Sequence, residues 1–594
     1  MKLKKSLIFS GFLFLALIIS CTLIFTSQEC PAKEATDIEE LETRSCTSIL
    51  VGKKASADGS TMTTHTCDCG ICDWTWRCVP ADDHKLGSAR KIYHISQYRT
   101  WPPEQGLKWE KYKEDYTGTD IPQVSHTYAY KHGMFAYMNE NQVAIGESTI
   151  GCRLKMRNTT PSALLDLTML TILGMERSKT AREFIHIVGS LAEKYGYGFN
   201  DGGEMLAVSD PNEVWIFEIM PVGPLWTPDS GKPGVVWCAQ RVPDDHVSIC
   251  PNESRIGEID LSNTDYFMAS SNVISYAVEN GFYDSESGKP FSWKKAYSPS
   301  KGSATSTHAR RGRLWRFLTL VAPSQNFSPD TEDIDFPFSV KPDNKLSLQN
   351  IINITRDKYQ DNIYDPAKGL KGGPFSNPNY FRSFKLGNDS YRSPRCICVN
   401  NVEYTTITQC RDWLPNPIGG IVWLAFGAQD TSCYMPIYAG STDIPESFKV
   451  GDHFEFNKHS ARWAADYVDF HTQVAYSYAI KDVRKAQEKW ESSAIERIPV
   501  IDEAALKLHE KNPARAIKFL TNYTLNNSNS VVNAWWKLGD DLLVKYNHFR
   551  IYDPVKRKSG RIQTPEWWNK AVVEHDKLSP IAPPSSQKPP EKKK

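Results

Sequence analysis

Cys46-Thr47-Ser48-Ile49-Leu50-Val51-Gly52, followed by Ala57-Asp58-Gly59 and then Ser60-Thr61-Met62-Thr63-Thr64-His65-Thr66-Cys67-Asp68, reads as a β-hairpin. Residues 47–52 and 60–66 are strand-like, and Ala57-Asp58-Gly59 between them is a turn signal. Pairing about that turn sets residue 46 opposite residues 66–68. A thiol (Cys46), an imidazole (His65) and a carboxylate (Asp68) then meet at one end of a two-stranded ribbon. A nucleophile site can be assembled from such a set. The alternative is an ordinary hairpin whose polar end residues are solvated.

Outward from this ribbon, composition bounds what the chain can be. Its 594 residues are 40% hydrophobic and 11% aromatic, ample for a packed interior. That length suits several domains, or one large α/β unit with an appendage. A formal net charge of +1 excludes a nucleic-acid binder that relies on global basicity. No second long apolar run follows the N-terminus, which excludes a polytopic membrane protein.

The N-terminus itself reads as an export signal. Lys2, Lys4 and Lys5 precede an apolar run over 7–19, the pattern of a secretory segment. Ile18-Ile19-Ser20-Cys21 also resembles a lipobox, and the apolar stretch can be read on through Phe25 as an anchor. Cleaved, lipidated and membrane-anchored forms all stay open for residues 1–21, and the localisation expected is exported: secreted, periplasmic or at the cell surface. Residues 22–45 are acidic, with Glu29, Glu34, Asp37, Glu39, Glu40 and Glu42, and read as a pro-segment. Fourteen cysteines in an exported chain suggest disulfides. Cys67, Cys69, Cys72 and Cys78 are the densest group. They lack the two separated Cys-x-x-Cys pairs of a typical zinc site, so disulfides or free thiols are expected before a metal.

Cys46-Thr47-Ser48-Ile49-Leu50-Val51-Gly52-Lys53-Lys54-Ala55 with Asp58-Gly59-Ser60-Thr61-Met62 resembles the start of mature peptidase family C69 dipeptidases. These are N-terminal-nucleophile hydrolases related to the choloylglycine hydrolases and secernins. Further blocks carry the same resemblance: the run from Met138 through Asn139-Glu140-Asn141 to Thr149, and Ala239-Gln240-Arg241-Val242-Pro243-Asp244. Asn252-Glu253-Ser254-Arg255-Ile256, Arg311-Gly312-Arg313-Leu314-Trp315-Arg316, Tyr364-Asp365 and Gly372-Gly373-Pro374-Phe375 extend it over most of residues 46–545.

The resemblance implies a cysteine-type dipeptidase. Cleavage at Ser45-Cys46, autocatalytic by implication, would free the α-amine of Cys46, whose unperturbed pKa of about 7.7–8.0 lets it serve as base near neutral pH. Asp68 falls where the family carries a carboxylate that orients the N-terminal residue. Asn252 matches an asparagine expected to stabilise the oxyanion. Arg311 and Arg313 compete for the site's arginine, with Arg313 the better fit. Thr149 stands where bile-salt hydrolases have a second oxyanion asparagine, with Glu147 close by. His65 occupies a place often held by arginine, and its role stays open. The substrate implied is a small peptide, and nothing in the sequence demands a metal or an organic cofactor.

The resemblance also implies an α+β, four-layer αββα N-terminal-nucleophile hydrolase fold with a C-terminal helical extension. The pattern is compatible: strands are expected over 142–145, 205–208 and 214–219, and helices over 162–174 and 179–195. The catalytic domain is expected over 46–456. From 457 to 575, Trp463, Tyr467, Phe470, Val474 and Tyr478 recur at helical spacing, continued over 503–510, 513–521 and 531–545, as in a helical bundle packed on that domain. Residues 576–594 are Pro- and Lys-rich and read as a disordered tail. Two rival functions remain: an amidase or acylase of the same fold acting on non-peptide amides, and an unprocessed binding protein without activity.

Overall fold

The computed structural model describes residues 46–70, 72–94, 116–157, 162–198, 202–299, 304–332, 334–380 and 383–580. The expected export signal, the acidic pro-segment and the end of the tail lie outside them.

Two antiparallel sheets form the centre. The six-stranded sheet runs in the order Val247–Cys250, Ser48–Val51, Thr61–Thr66, Tyr404–Cys410, Ile421–Phe426, Met435–Tyr438. The expected hairpin is therefore its heart. Leu50 pairs with Thr63 and Val51 with Met62, and an isolated bridge joins Thr47 to Thr66, which brings Cys46 level with residues 66–68. The eight-stranded sheet runs Phe267–Ala269, Val235–Val242, Val214–Pro221, Gly203–Ser209, Ala144–Ile150, Ala136–Asn139, Tyr130–His132, Arg77–Val79.

Alternation along the strands explains the layers. In Ser48–Val51, Leu50 joins Met205, Ala207 and Ile216 in a core between the sheets. Its neighbours Ile49 and Val51 face the other way, onto Leu314 and Phe317 of helix Ala304–Val321 and Ile351 of helix Leu348–Thr355. Phe184, Ile185 and Val188 of helix Ala181–Tyr195 join Leu206, Val208 and Phe217 in the largest core, on the outer face of the eight-stranded sheet. The order is helix, sheet, sheet, helix. The sheets approach closely at Gly146, where a Cβ would lie 2.2 Å from the carbonyl oxygen of Thr64. Only glycine fits there, and its neighbour Glu147 is thereby brought against His65.

Boundaries shift where capping overrides periodicity. The helix expected over 162–174 runs Leu167–Arg177, because Asp166 caps it by accepting from the Met169 N–H at 2.6 Å. The one expected over 179–195 starts at Ala181 behind Thr180 in the same role. The strand expected over 142–145 is Ala144–Ile150.

From 461 to 546 the chain is helical, within the same compact unit as the sheets, and the expected helical extension is then interrupted by the hairpin Arg550–Asp553/Lys558–Arg561 before a further helix at Glu566–Asp576. The helices of 461–546 are Ala461–Gln473, Tyr476–Gln487, Ser493–Lys511 and Pro513–Tyr546. The last joins two segments expected to be separate. Part of its polar middle is solvated by protein: Thr521 Oγ1 accepts from the Thr442 N–H at 3.0 Å, and Thr524 and Ser441 share a hydroxyl contact at 2.9 Å. Phe470, expected in the buried stripe, is 68% exposed. Near its neighbour Asp469, Lys358 pairs with Asp430 at 3.5 Å, while Thr431 Oγ1 and Gln473 Nε2 donate to Asp469 at 2.8 and 2.9 Å.

Candidate active site

Cys46 sits at the open end of the hairpin and is 6% exposed. Its backbone is pinned from two directions. The Cys46 carbonyl accepts from Ser148 Oγ at 3.2 Å and from Arg313 Nη1 at 3.1 Å. The next residue is fixed as firmly, the Thr47 N–H donating to Thr66 Oγ1 at 2.9 Å and Thr47 Oγ1 accepting from Arg313 Nη1 at 2.6 Å.

Arg313 is fully buried, and its second nitrogen donates to the Pro251 carbonyl and to Asn252 Oδ1, both at 2.8 Å. Burial and the nearby Arg395 push its guanidinium well below the usual arginine range. Arg311, the other expected candidate, lies two residues earlier on the same helix and pairs with the exposed Glu332 at 3.4 Å. The structure thus brings Arg313, not Arg311, onto the Cys46 backbone.

Asn252 adopts a left-handed φ of +66°. Its N–H and Nδ2 both donate to Ser148 Oγ, at 3.1 and 3.2 Å, and Nδ2 also reaches the Thr149 carbonyl at 2.9 Å. Thr149 therefore meets Asn252 through its backbone, while its hydroxyl donates to Glu147 Oε1 at 3.2 Å.

Asp68 is buried and lies one turn of loop beyond Thr66. Its Oδ2 accepts from Thr66 Oγ1 at 3.1 Å and is ion-paired with Arg395, whose Nη1 lies 3.4 Å from Asn252 Oδ1. Among the described residues, nothing donates to Asp68 Oδ1, which is also buried. Burial lifts the Asp68 carboxyl above its ordinary range in spite of Arg395 and Arg313.

His65 is the residue whose role the sequence left open, and it is wired directly to the thiol's surroundings. Its Nε2 lies 3.1 Å from Glu147 Oε2 and its Nδ1 2.6 Å from the Tyr137 hydroxyl. Tyr137 continues to the Tyr404 hydroxyl at 3.0 Å, which accepts from the Met134 N–H at 2.7 Å. Ligand-type atoms of Cys46, His65 and Glu147 all lie within 4.8 Å of one another. Burial, then the charges of Glu147, Cys67 and Asp68, hold the Cys46 thiol well above its usual pKa. Burial also raises Glu147, but bonds from His65, Glu204 and Cys46 outweigh it and leave this carboxylate below its usual range.

Arg395, Ser148, Tyr137 and Tyr404 escaped the sequence reading. Arg395 stands 327 residues from its partner Asp68, and no local pattern marks such a pairing. Cys69 and Cys72 form a disulfide just past Asp68. Cys67, Cys78, Cys398 and Cys410 are free thiols.

The profile of peptidase family C69 matches residues 45–489 of this chain, well over half of it. The chain belongs to peptidase family C69. As a C69 member it is a peptidase, and the profile begins one residue before Cys46. It is 25% identical over 499 residues to a "Probable dipeptidase" of Latilactobacillus sakei, covering 81% of this chain and 91% of that one. To "Dipeptidase A" of Lactobacillus helveticus it is 27% identical over 424 residues, covering 70% and 79%. Among solved structures, penicillin V acylase from Agrobacterium tumefaciens overlaps 66% of this chain and 86% of its own at 9% identity, with a TM-score of only 0.26.

Proposed function

We propose that this C69 peptidase is an exported cysteine-type dipeptidase in which Cys46, freed by cleavage of the Ser45–Cys46 bond, is both nucleophile and base. The observation that carries the reading is the set around Cys46: its carbonyl clamped by Arg313 and Ser148, beside a buried Asp68 oxygen that has no donor among the described residues. Cleavage would create a new α-ammonium at this position, and Asp68 Oδ1 is an acceptor of the right charge to orient it. The relatives described as dipeptidases support the substrate class.

The free amine takes the thiol proton, and the thiolate attacks the peptide carbonyl carbon. The proton then passes to the leaving amine as the C–N bond breaks, leaving a thioester on Cys46. Water, deprotonated by the same amine, attacks the thioester and releases the N-terminal amino acid with the thiol restored. Asn252 supports the oxyanion by trading one of its Nδ2 bonds, to Ser148 or Thr149, for the substrate oxygen. Residues 1–21 serve export in this reading, and 22–45 mask the site until cleavage.

The test is steady-state hydrolysis of a dipeptide panel by purified wild type and Cys46→Ala, with bile-salt and penicillin amides alongside. Dipeptide turnover abolished by Cys46→Ala is expected. Dipeptide turnover that survives the substitution, or turnover confined to the non-peptide amides, overturns the reading.

A further inference from the structure

The three groups around the thiol make a set of a different kind as well. Among the described residues this is the one place where three Cys, His, Asp or Glu side chains present ligand atoms within 4.8 Å of one another. The set is chemically mixed: a sulfur, an imidazole nitrogen and a carboxylate oxygen. Zinc accepts all three donor types in tetrahedral sites, with bonds of about 2.0–2.3 Å. Those bonds place ligand atoms roughly 3.3–3.8 Å apart, a spacing that His65 and Glu147 already reach at 3.1 Å, so only the thiol needs to close in.

The surroundings match what a zinc-bound histidine requires. A ligating imidazole presents one nitrogen to the metal and has the other fixed by a hydrogen bond. His65 Nδ1 is already held by the Tyr137 hydroxyl at 2.6 Å, and that hydroxyl is held by Tyr404 at 3.0 Å, which leaves Nε2 for the cluster, where it lies 3.1 Å from Glu147 Oε2. Glu147 is positioned by Thr149, whose hydroxyl donates to Oε1 at 3.2 Å. All three ligand residues are buried, so water competes poorly.

We propose that Cys46, His65 and Glu147 form an inhibitory site for a zinc-type divalent cation, completed by the α-amine of Cys46. This last ligand rests on the function proposed above, since the amine exists only after cleavage before Cys46. An N-terminal cysteine then offers nitrogen and sulfur as a five-membered chelate. With His65 Nε2 and a Glu147 oxygen this gives four ligands and tetrahedral geometry. As the metal binds, the thiol proton leaves to solvent and an S–Zn bond forms, with no oxidation or reduction. The metal occupies both the nucleophile and the base, so the peptidase is shut off reversibly. It is a regulator of the site, not a cofactor of the reaction.

The experiment titrates metal-free mature protein with Zn²⁺ in competition with a chromophoric chelator, and separately with Co²⁺ read by absorption. Expected are one Zn²⁺ per chain, intense tetrahedral Co²⁺ bands with a sulfur-to-metal charge-transfer band, and loss of both in Cys46→Ala. His65→Ala should weaken Zn²⁺ on the order of 100-fold or more, and Tyr137→Phe by about 10-fold. Activity lost to Zn²⁺ should return with a chelator. Zinc affinity indifferent to His65→Ala, or Co²⁺ spectra without tetrahedral bands, overturns the proposal, because a thiol alone would then suffice. Intact mass of the same preparation separates the two readings. A chain that starts at Cys46 yet binds no metal refutes this site alone. A chain that keeps residues before Cys46 refutes the proposed processing and the four-ligand site with it, whatever Zn²⁺ its three side chains hold.

Discussion

Replacing Arg313 by methionine removes a cation that donates to four acceptors: the carbonyls of Cys46 and Pro251, Thr47 Oγ1 and Asn252 Oδ1. Two of these keep another donor, since Ser148 still reaches the Cys46 carbonyl and Arg395 still reaches Asn252. The Pro251 carbonyl and Thr47 Oγ1 lose theirs, at about 1–3 kcal/mol for each buried group left unsatisfied. Against this, the variant sheds a desolvated charge that sits beside Arg395, which returns part of the loss. The net expected is about 2–4 kcal/mol of destabilisation, read by urea unfolding. Activity should fall further than stability accounts for, because the lost bonds set the position of the Cys46 backbone. Misplacing a reacting group by about 1 Å costs on the order of 100-fold in rate. Arg311→Met is the internal control for the site: Arg311 pairs with the well-exposed Glu332 and not with the Cys46 backbone, so kcat/KM should change less than about threefold even where stability falls. If Arg313→Met keeps both stability and kcat/KM, or if Arg311→Met lowers kcat/KM as much, the assignment of Arg313 as the positioning arginine is wrong.

Asp68→Asn keeps the shape of the carboxylate and removes the charge that would hold the new amine. Dipeptide kcat/KM should drop by about 10–100-fold and its pH profile should shift, whereas a purely structural Asp68 would lower stability and leave the profile in place. Gly146→Ala drives a Cβ to within 2.2 Å of the Thr64 carbonyl and should cost at least about 1–3 kcal/mol in urea; a neutral result would mean that the sheets do not meet there. Asp469 is raised to about 7, first by burial and then by the charge of Asp430. The folded state therefore keeps a proton that the unfolded chain gives up near pH 4, so this group lowers stability as pH rises from about 4 to 7. Asp469→Asn should raise the unfolding free energy in urea relative to wild type at pH 8 and not at pH 4, by about 1–2 kcal/mol once its partial exposure is discounted; an offset independent of pH contradicts the shift.

The hairpin was legible because its signals are local. Alternation and an Asp-Gly turn fix its register, and register alone brings Cys46 level with Asp68. Helix existence was likewise legible, while the ends moved to capping residues such as Asp166 and Thr180 that periodicity does not weigh. The Thr521–Ser528 region looked like a break because its side chains are polar. It continues as helix because Ser441 and Thr442 supply partners from elsewhere in the chain. At the site, Cys46, Asp68, Asn252 and Arg313 were marked by resemblance to C69 sequences. Arg395 was not, since its meeting with Asp68 exists only in three dimensions. The link from His65 to Glu147 was hidden for a related reason. It depends on the close approach of two sheets at Gly146, and a single strand's sequence says nothing about what lies on the facing sheet.

The proposed mechanism stands on a working enzyme that begins at its own nucleophile. Intact mass spectrometry of active purified wild type, with Cys46→Ala prepared identically, tests it most directly. Expected are a wild-type chain whose first residue is Cys46 and an inactive Cys46→Ala chain that retains residues before position 46. A fully active wild type whose mass includes residues upstream of Cys46 would contradict it.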